Sequence, residues 1–123
     1  MTRGKSSKGV FHFLIAGALL ALFGACAGKQ IPQDRITDPG QMLFDGHTVA
    51  GIDCYRCHGG DGSGTWRGPN LLARMGDLTD QAIAKAINEG PGLMPSYQGR
   101  LDDTQIAQIT VWLRKSAPPA GKP

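Results

Sequence analysis

The sequence predicts a small all-α domain. Three observations carry this. Short segments with apolar residues three and four apart are bounded by helix caps and stops; no segment alternates with period two; and 18 glycines with 8 prolines leave room only for short elements joined by loops. The chain has 123 residues, and once a leader is set aside the folded unit is about 80 residues long. A domain of that size buries a modest fraction of its surface and usually needs a staple or a cofactor.

Residues 1–25 read as a signal peptide. Arg3, Lys5 and Lys8 form a basic start, and Val10 to Ala25 is almost wholly apolar, with His12 its one ionisable group. The run is short for a transmembrane helix, which needs about 20 apolar residues. Leu22-Phe23-Gly24-Ala25-Cys26 resembles a bacterial lipobox, in which small residues precede a cysteine that is lipidated and becomes the new N-terminus. Two other readings stay open: Ala25-Cys26-Ala27 also fits an A-x-A cleavage site, and the segment fits an uncleaved anchor. All three export the rest of the chain, so the expected location is periplasmic and membrane-anchored.

Residues 26–37, polar and interrupted by Pro32, are expected to form a tether, 38–117 the domain and 118–123 a flexible tail. Asp38 and Pro39 are an N-cap and first-turn proline for a short helix to about Asp45, stopped by Gly46. His47 to Asp53 is an irregular approach to the cysteine pair. Gly59 to Gly68, with five glycines, is loop. Thr79 caps the next helix, Leu78 staples onto Ile83, the apolar stripe is Ala82, Ile83, Ala86 and Ile87, and Gly90 stops it. After a second loop, Pro91 to Arg100, the best-signalled helix opens. Asp102 and Gln105 make a capping box, Leu101 staples onto Ile106, and Ile106, Ile109 and Leu113 share a face beside Trp112. Arg114 and Lys115 suit its C-terminal end, and Pro118 ends it.

The net charge of +3 belongs to the leader alone: from Cys26 onward ten Lys/Arg balance ten Asp/Glu. That excludes nucleic acid as the partner, because phosphate binding needs a basic patch.

Cys54-Tyr55-Arg56-Cys57-His58 is C-x-x-C-H, the attachment signature of c-type haem. Two thiols at this spacing reach the two vinyl groups of one haem and form thioethers, while the next residue aims its imidazole at the iron. A thioredoxin-type dithiol would sit in a βαβ context, and a structural zinc site would need a second Cys/His pair; neither is present. The cysteine arithmetic closes with lipid on Cys26 and one covalent haem c on Cys54 and Cys57.

The chain resembles the class I monohaem cytochromes c over about residues 38–117. The resemblance rests on an ordered series: a helix with Gly40 and Phe44, C-x-x-C-H, Gly68-Pro69-Asn70-Leu71, a helix, Leu93-Met94-Pro95, and a last helix with Trp112. It implies three to five short helices wrapped around one covalent haem, and a crossing of the first and last helices at Gly40, Phe44 and Trp112. It also implies that the Pro69 carbonyl accepts the His58 proton and that the Met94 loop supplies the distal ligand. The departure is His47–Asp53, longer than in compact members.

His58 is thus the proximal ligand. For the sixth position Met94 is preferred, since Pro91, Gly92 and Pro95 stiffen its loop; Met75, between Arg74 and Gly76, is a rival. Met42 fits core packing, and His47 fits a solvated loop. Arg67, Trp66, Tyr97 and Trp112 are candidates for propionate contacts or pocket walls.

The function implied is one-electron transfer between donor and acceptor proteins, either as a tethered carrier or as the cytochrome subunit of a larger oxidoreductase. The alternative is a haem-based ligand binder or sensor with a displaceable sixth site. A peroxidase would need distal acid and base groups, and the residues around Met94 offer none.

Overall fold

The structure, a computed structural model, describes residues 28–119; the leader, Cys26 and the tail beyond Pro119 lie outside the described residues. Four helices organise the described residues: α1 (Pro39–Phe44), α2 (Tyr55–His58), α3 (Asp80–Glu89) and α4 (Asp103–Ser116). Single 3-10 turns stand at Gln33–Arg35 and Leu72–Arg74. No strand forms among the described residues, only isolated bridges at Thr65 with Gly68 and Gln98 with Leu101. The all-α expectation holds.

The caps form where the side-chain chemistry puts them. Asp38 accepts from the Gly40 N–H at 2.9 Å, and Thr79 from the Ala82 N–H at 3.1 Å. The capping box of α4 is complete: Asp102 accepts from the Gln105 N–H at 2.8 Å, and the Gln105 side chain from the Asp102 N–H at 3.0 Å. Each bond satisfies an amide that has no partner inside its helix. Gly90 ends α3 in the left-handed region, φ 65°, which a side chain disfavours.

Helix α4 is the hub, packing on α1, on α3 and on the 3-10 turn at Leu72–Arg74. At the α1–α4 crossing a Cβ on Gly40 would run into the Gln108 carbonyl and the Trp112 Cβ. That close approach lets the Phe44 and Trp112 rings meet, with centroids 4.8 Å apart and planes tilted by 50°. Leu43, Ile83, Ile87, Leu101, Ile106, Ile109 and Leu113 complete the core around them. Lys115 pairs with Asp38 at 3.4 Å, joining the end of α4 to the start of α1.

Two features depart from the sequence reading. Residues 28–36, expected as part of a tether, lie on the domain, with Ile36 buried. The approach to the cysteines is irregular, a set of turns that buries Ile52 completely. Helix α2 and the turn at Leu72–Arg74 were not foreseen, because each is too short to show a period.

Candidate haem site

Helix α2 is a single turn whose N-cap is Cys54. Its spacing puts Cys54 and Cys57 three apart on one side of the helix, and neither forms a disulfide among the described residues. Cys54 packs against the core, and burial pushes its thiol up to about 12. His58 closes the turn, its N–H donating to the Cys54 carbonyl at 3.0 Å, and it is 8% exposed.

The glycine-rich loop wraps back onto this turn. The Gly64 N–H donates to the His58 carbonyl at 2.7 Å. The Thr65 hydroxyl donates to the Cys57 carbonyl at 2.5 Å and accepts from the Arg67 N–H at 3.0 Å. The Leu71 N–H donates to the Gly62 carbonyl at 2.9 Å. This folding brings the Pro69 carbonyl 3.0 Å from His58 Nδ1. A carbonyl only accepts, so Nδ1 donates to it, and the lone pair of the neutral ring then sits on Nε2. A metal-ligating histidine held through its other nitrogen in this way has a fixed tautomer and orientation.

The second loop is tied to α3. The Tyr97 N–H donates to the Ile87 carbonyl at 3.1 Å, and the Ser96 hydroxyl to the Asn88 carbonyl at 2.5 Å. Met94 is half-buried against the same core as Cys54. Tyr97 is buried, and its hydroxyl is pushed up to about 12, mainly by burial and then by Cys54 and Asp53.

The other candidates are placed as follows. Met75 is 3% exposed in the core, and its carbonyl accepts from Arg114 at 2.6 Å. Met42 lines a cleft of about 450 Å³ with Thr37, Pro39, Leu43, Thr48, Gln105 and Gln108, none of them from α2. The His47 ring donates through Nε2 to the Ile31 carbonyl at 2.9 Å, so it is engaged rather than solvated. Arg67 is exposed, its guanidinium 5.5 Å from the Trp66 ring centroid, and Trp66 is exposed too. Trp112 spends its ring on Phe44.

Sequence reasoning missed three residues at this site. Arg100 donates to the Gly51 carbonyl at 2.8 Å and lies 5.4 Å from the Tyr97 ring centroid, joining the second loop to the approach to Cys54. Thr65 binds the α2 backbone. Asp45 is fully buried, and among the described residues neither carboxylate oxygen has a partner at hydrogen-bonding geometry. Pairings across such sequence separations leave no local signal; Asp45 directly after the apolar Leu43-Phe44 was the one visible clue.

The donor set fits a covalent haem c: two thiols one turn apart, a buried imidazole with a free Nε2, and a thioether in a second loop on the same core. Such a group would supply one-electron oxidation and reduction; the chain's own part would be to hold it through Cys54 and Cys57, exclude water and offer side-chain donors to its iron.

The comparisons agree. The profile of the family described as "Cytochrome C oxidase, cbb3-type, subunit III" matches residues 41–113. The chain is similar to cytochrome c6 of Leptolyngbya boryana, 32% identical over 77 residues, covering 58% of this chain and 89% of that protein. It is similar to cytochrome c6 of Chlorolobion braunii, 30% identical over 84 residues, covering 63% and 88%. Cytochrome c6 of Synechococcus elongatus is 29% identical over 79 residues, covering 61% and 91%. The chain therefore belongs to the cytochrome c family of that cbb3-type profile, and is a class I monohaem cytochrome c that carries one covalent haem c and transfers electrons.

Proposed function

We propose that this chain is an exported one-electron carrier, anchored at a membrane surface by lipid on Cys26. Its haem is bound through Cys54 and Cys57 and ligated by His58 and Met94. The observation that carries the ligand reading is the 3.0 Å bond from His58 Nδ1 to the Pro69 carbonyl. It engages Nδ1 and leaves Nε2 to face the haem iron. Met94 is preferred over Met75 because it is half-exposed in a loop, whereas Met75 fills the core. His/Met ligation raises the reduction potential relative to two nitrogen ligands. No helix among the described residues is long and apolar enough to cross a membrane, so anchoring rests on the leader segment.

The near-infrared methionine–iron band of the oxidised protein tests the ligand set. Met94→Ala abolishes the band and lets the reduced form take up carbon monoxide, while Met75→Ala keeps it. The reverse pattern moves the ligand to Met75. A wild-type protein without the band favours the ligand-binding reading.

One observation favours a second role. The matching family is described by an oxidase subunit, which suits a cytochrome component of a larger complex. Purification of the native protein from membranes separates the roles: a carrier comes alone, a subunit with fixed partners.

A further inference from the structure

Residues 28–36 form a strap across the back of the haem-attachment turn. The Gly28 N–H donates to the Arg56 carbonyl at 3.1 Å. A Cβ on Gly28 would overlap the Tyr55 carbonyl, so the strap backbone lies directly on that of α2. Next, Gln30 donates to the Asp45 carbonyl at 2.6 Å, and Ile31 accepts from His47. The Lys29 carbonyl and the Ile31 side chain press on Gly60, where an added Cβ would stand 2.7 and 2.8 Å from them. Polar composition suggested a tether, yet both backbone and side chains are engaged.

Only Ala27 separates Gly28 from Cys26. Consecutive Cα atoms are about 3.8 Å apart, so the Cys26 Cα lies within about 7.6 Å of the Gly28 Cα whichever way the chain turns. We propose that a phospholipid bilayer seats against the surface around Gly28, Tyr55 and Arg56, and that the anchored domain has no flexible leash. The inference rests on lipid attachment at Cys26. Lys29 and Arg56 are exposed there, Arg56 paired with Asp53 at 3.0 Å. A domain held this closely keeps one tilt of its haem to the membrane plane. It meets partners in its own membrane and does not swing out to reach distant ones.

The test uses full-length, haem-loaded protein purified from membranes, with Cys26 checked by mass spectrometry, in oriented bilayers of phosphatidylethanolamine and phosphatidylglycerol. Polarised absorption of the haem band is expected to be dichroic. Inserting about ten Gly/Ser residues between Ala27 and Gly28 frees the anchor and abolishes the dichroism. Gly28→Val, which lifts the strap from α2, reduces it with lipid and haem retained. Lipidated wild-type protein with isotropic haem absorption overturns the proposal, as does dichroism that survives the insertion. Absence of lipid on Cys26 removes the anchor reading and this one together, and the mass spectrum identifies that case.

Discussion

The two loops that flank the haem site are built on different principles. The loop after His58 is bonded to the ligand's own turn: Gly64 to the His58 carbonyl, Thr65 to the Cys57 carbonyl, and the Pro69 carbonyl to the imidazole. The loop that bears Met94 is bonded to α3 through Tyr97 and Ser96 and to Gly51 through Arg100, and the Met94 N–H donates within the loop to the Pro91 carbonyl at 3.2 Å. Leu93, beside Met94, is 99% exposed. On the proposed ligation, the imidazole is thus clamped by a direct hydrogen bond, while the Met94 thioether is held by its loop and by packing on the core. Local opening takes least free energy where few buried contacts resist it, so the methionine side should yield first.

The strongest way to break that comparison is to remove the attachments one side at a time. A Cys54→Ser, Cys57→Ser double variant is expected to leave no haem-stained band on a denaturing gel. Met94→Ala should keep the full stain, since its loop takes no part in attachment. Loss of covalent haem from Met94→Ala would falsify the asymmetry.

The clamped side also carries a liability that the other lacks. Asp45 packs against Gly60 of the first loop and beneath the strap. Burial, opposed in part by the Ile31 backbone and His47, pushes its carboxyl up to about 6 from 3.8. Below the lower value the folded and unfolded states both hold the proton. Between the two, the unfolded chain releases it first, so stability falls as pH rises and levels off above about 6. A shift of this size corresponds to about 3 kcal/mol. Asp45→Asn is expected to remove this pH dependence and to stabilise the protein at pH 7 by up to that amount. Urea melts of both proteins across this range check it; parallel curves would refute the buried-charge account.

The helical frame was legible in the sequence because its signals are local. Asp38 with Pro39, Thr79, and Asp102 with Gln105 each declare a cap within four residues, and each forms the bond its chemistry predicts. The C-x-x-C-H pentapeptide is equally local. What stayed hidden depends on contacts between distant residues. Arg100 reaches Gly51, and Arg114 reaches the carbonyls of Met75 and Leu78 as well as Asp80. The strap was misjudged for the same reason. Polar composition describes what a segment is made of, whereas its docking depends on acceptors such as the Arg56 and Asp45 carbonyls, which exist only once the domain has folded.

A smaller effect sharpens the comparison at single hydrogen bonds. Thr65→Val deletes a donor to the Cys57 carbonyl and an acceptor for the Arg67 N–H while keeping the shape. Each such bond contributes about 0.5–1.5 kcal/mol, so a loss of about 1–2 kcal/mol is expected in denaturant unfolding. The midpoint shifts while the methionine band stays unchanged, because Met94 does not depend on Thr65.

Ser96→Ala is the mirror test on the methionine side. Ser96 is exposed, and its hydroxyl binds the Asn88 carbonyl, which water can replace. Global stability should therefore fall by no more than about 0.5 kcal/mol. That same amount acts directly on the equilibrium that lifts the Met94 loop from α3. Converted through RT, it raises the open population about twofold. On the proposed Met94 ligation, exogenous imidazole binds the oxidised protein only when the methionine has left, and it is expected to bind about twofold tighter to Ser96→Ala than to wild type. Thr65→Val should leave that affinity where it was, despite its larger cost in stability. If Thr65→Val weakens the methionine side as much as Ser96→Ala does, the two loops open as one unit. The difference in their wiring would then have no consequence for the haem.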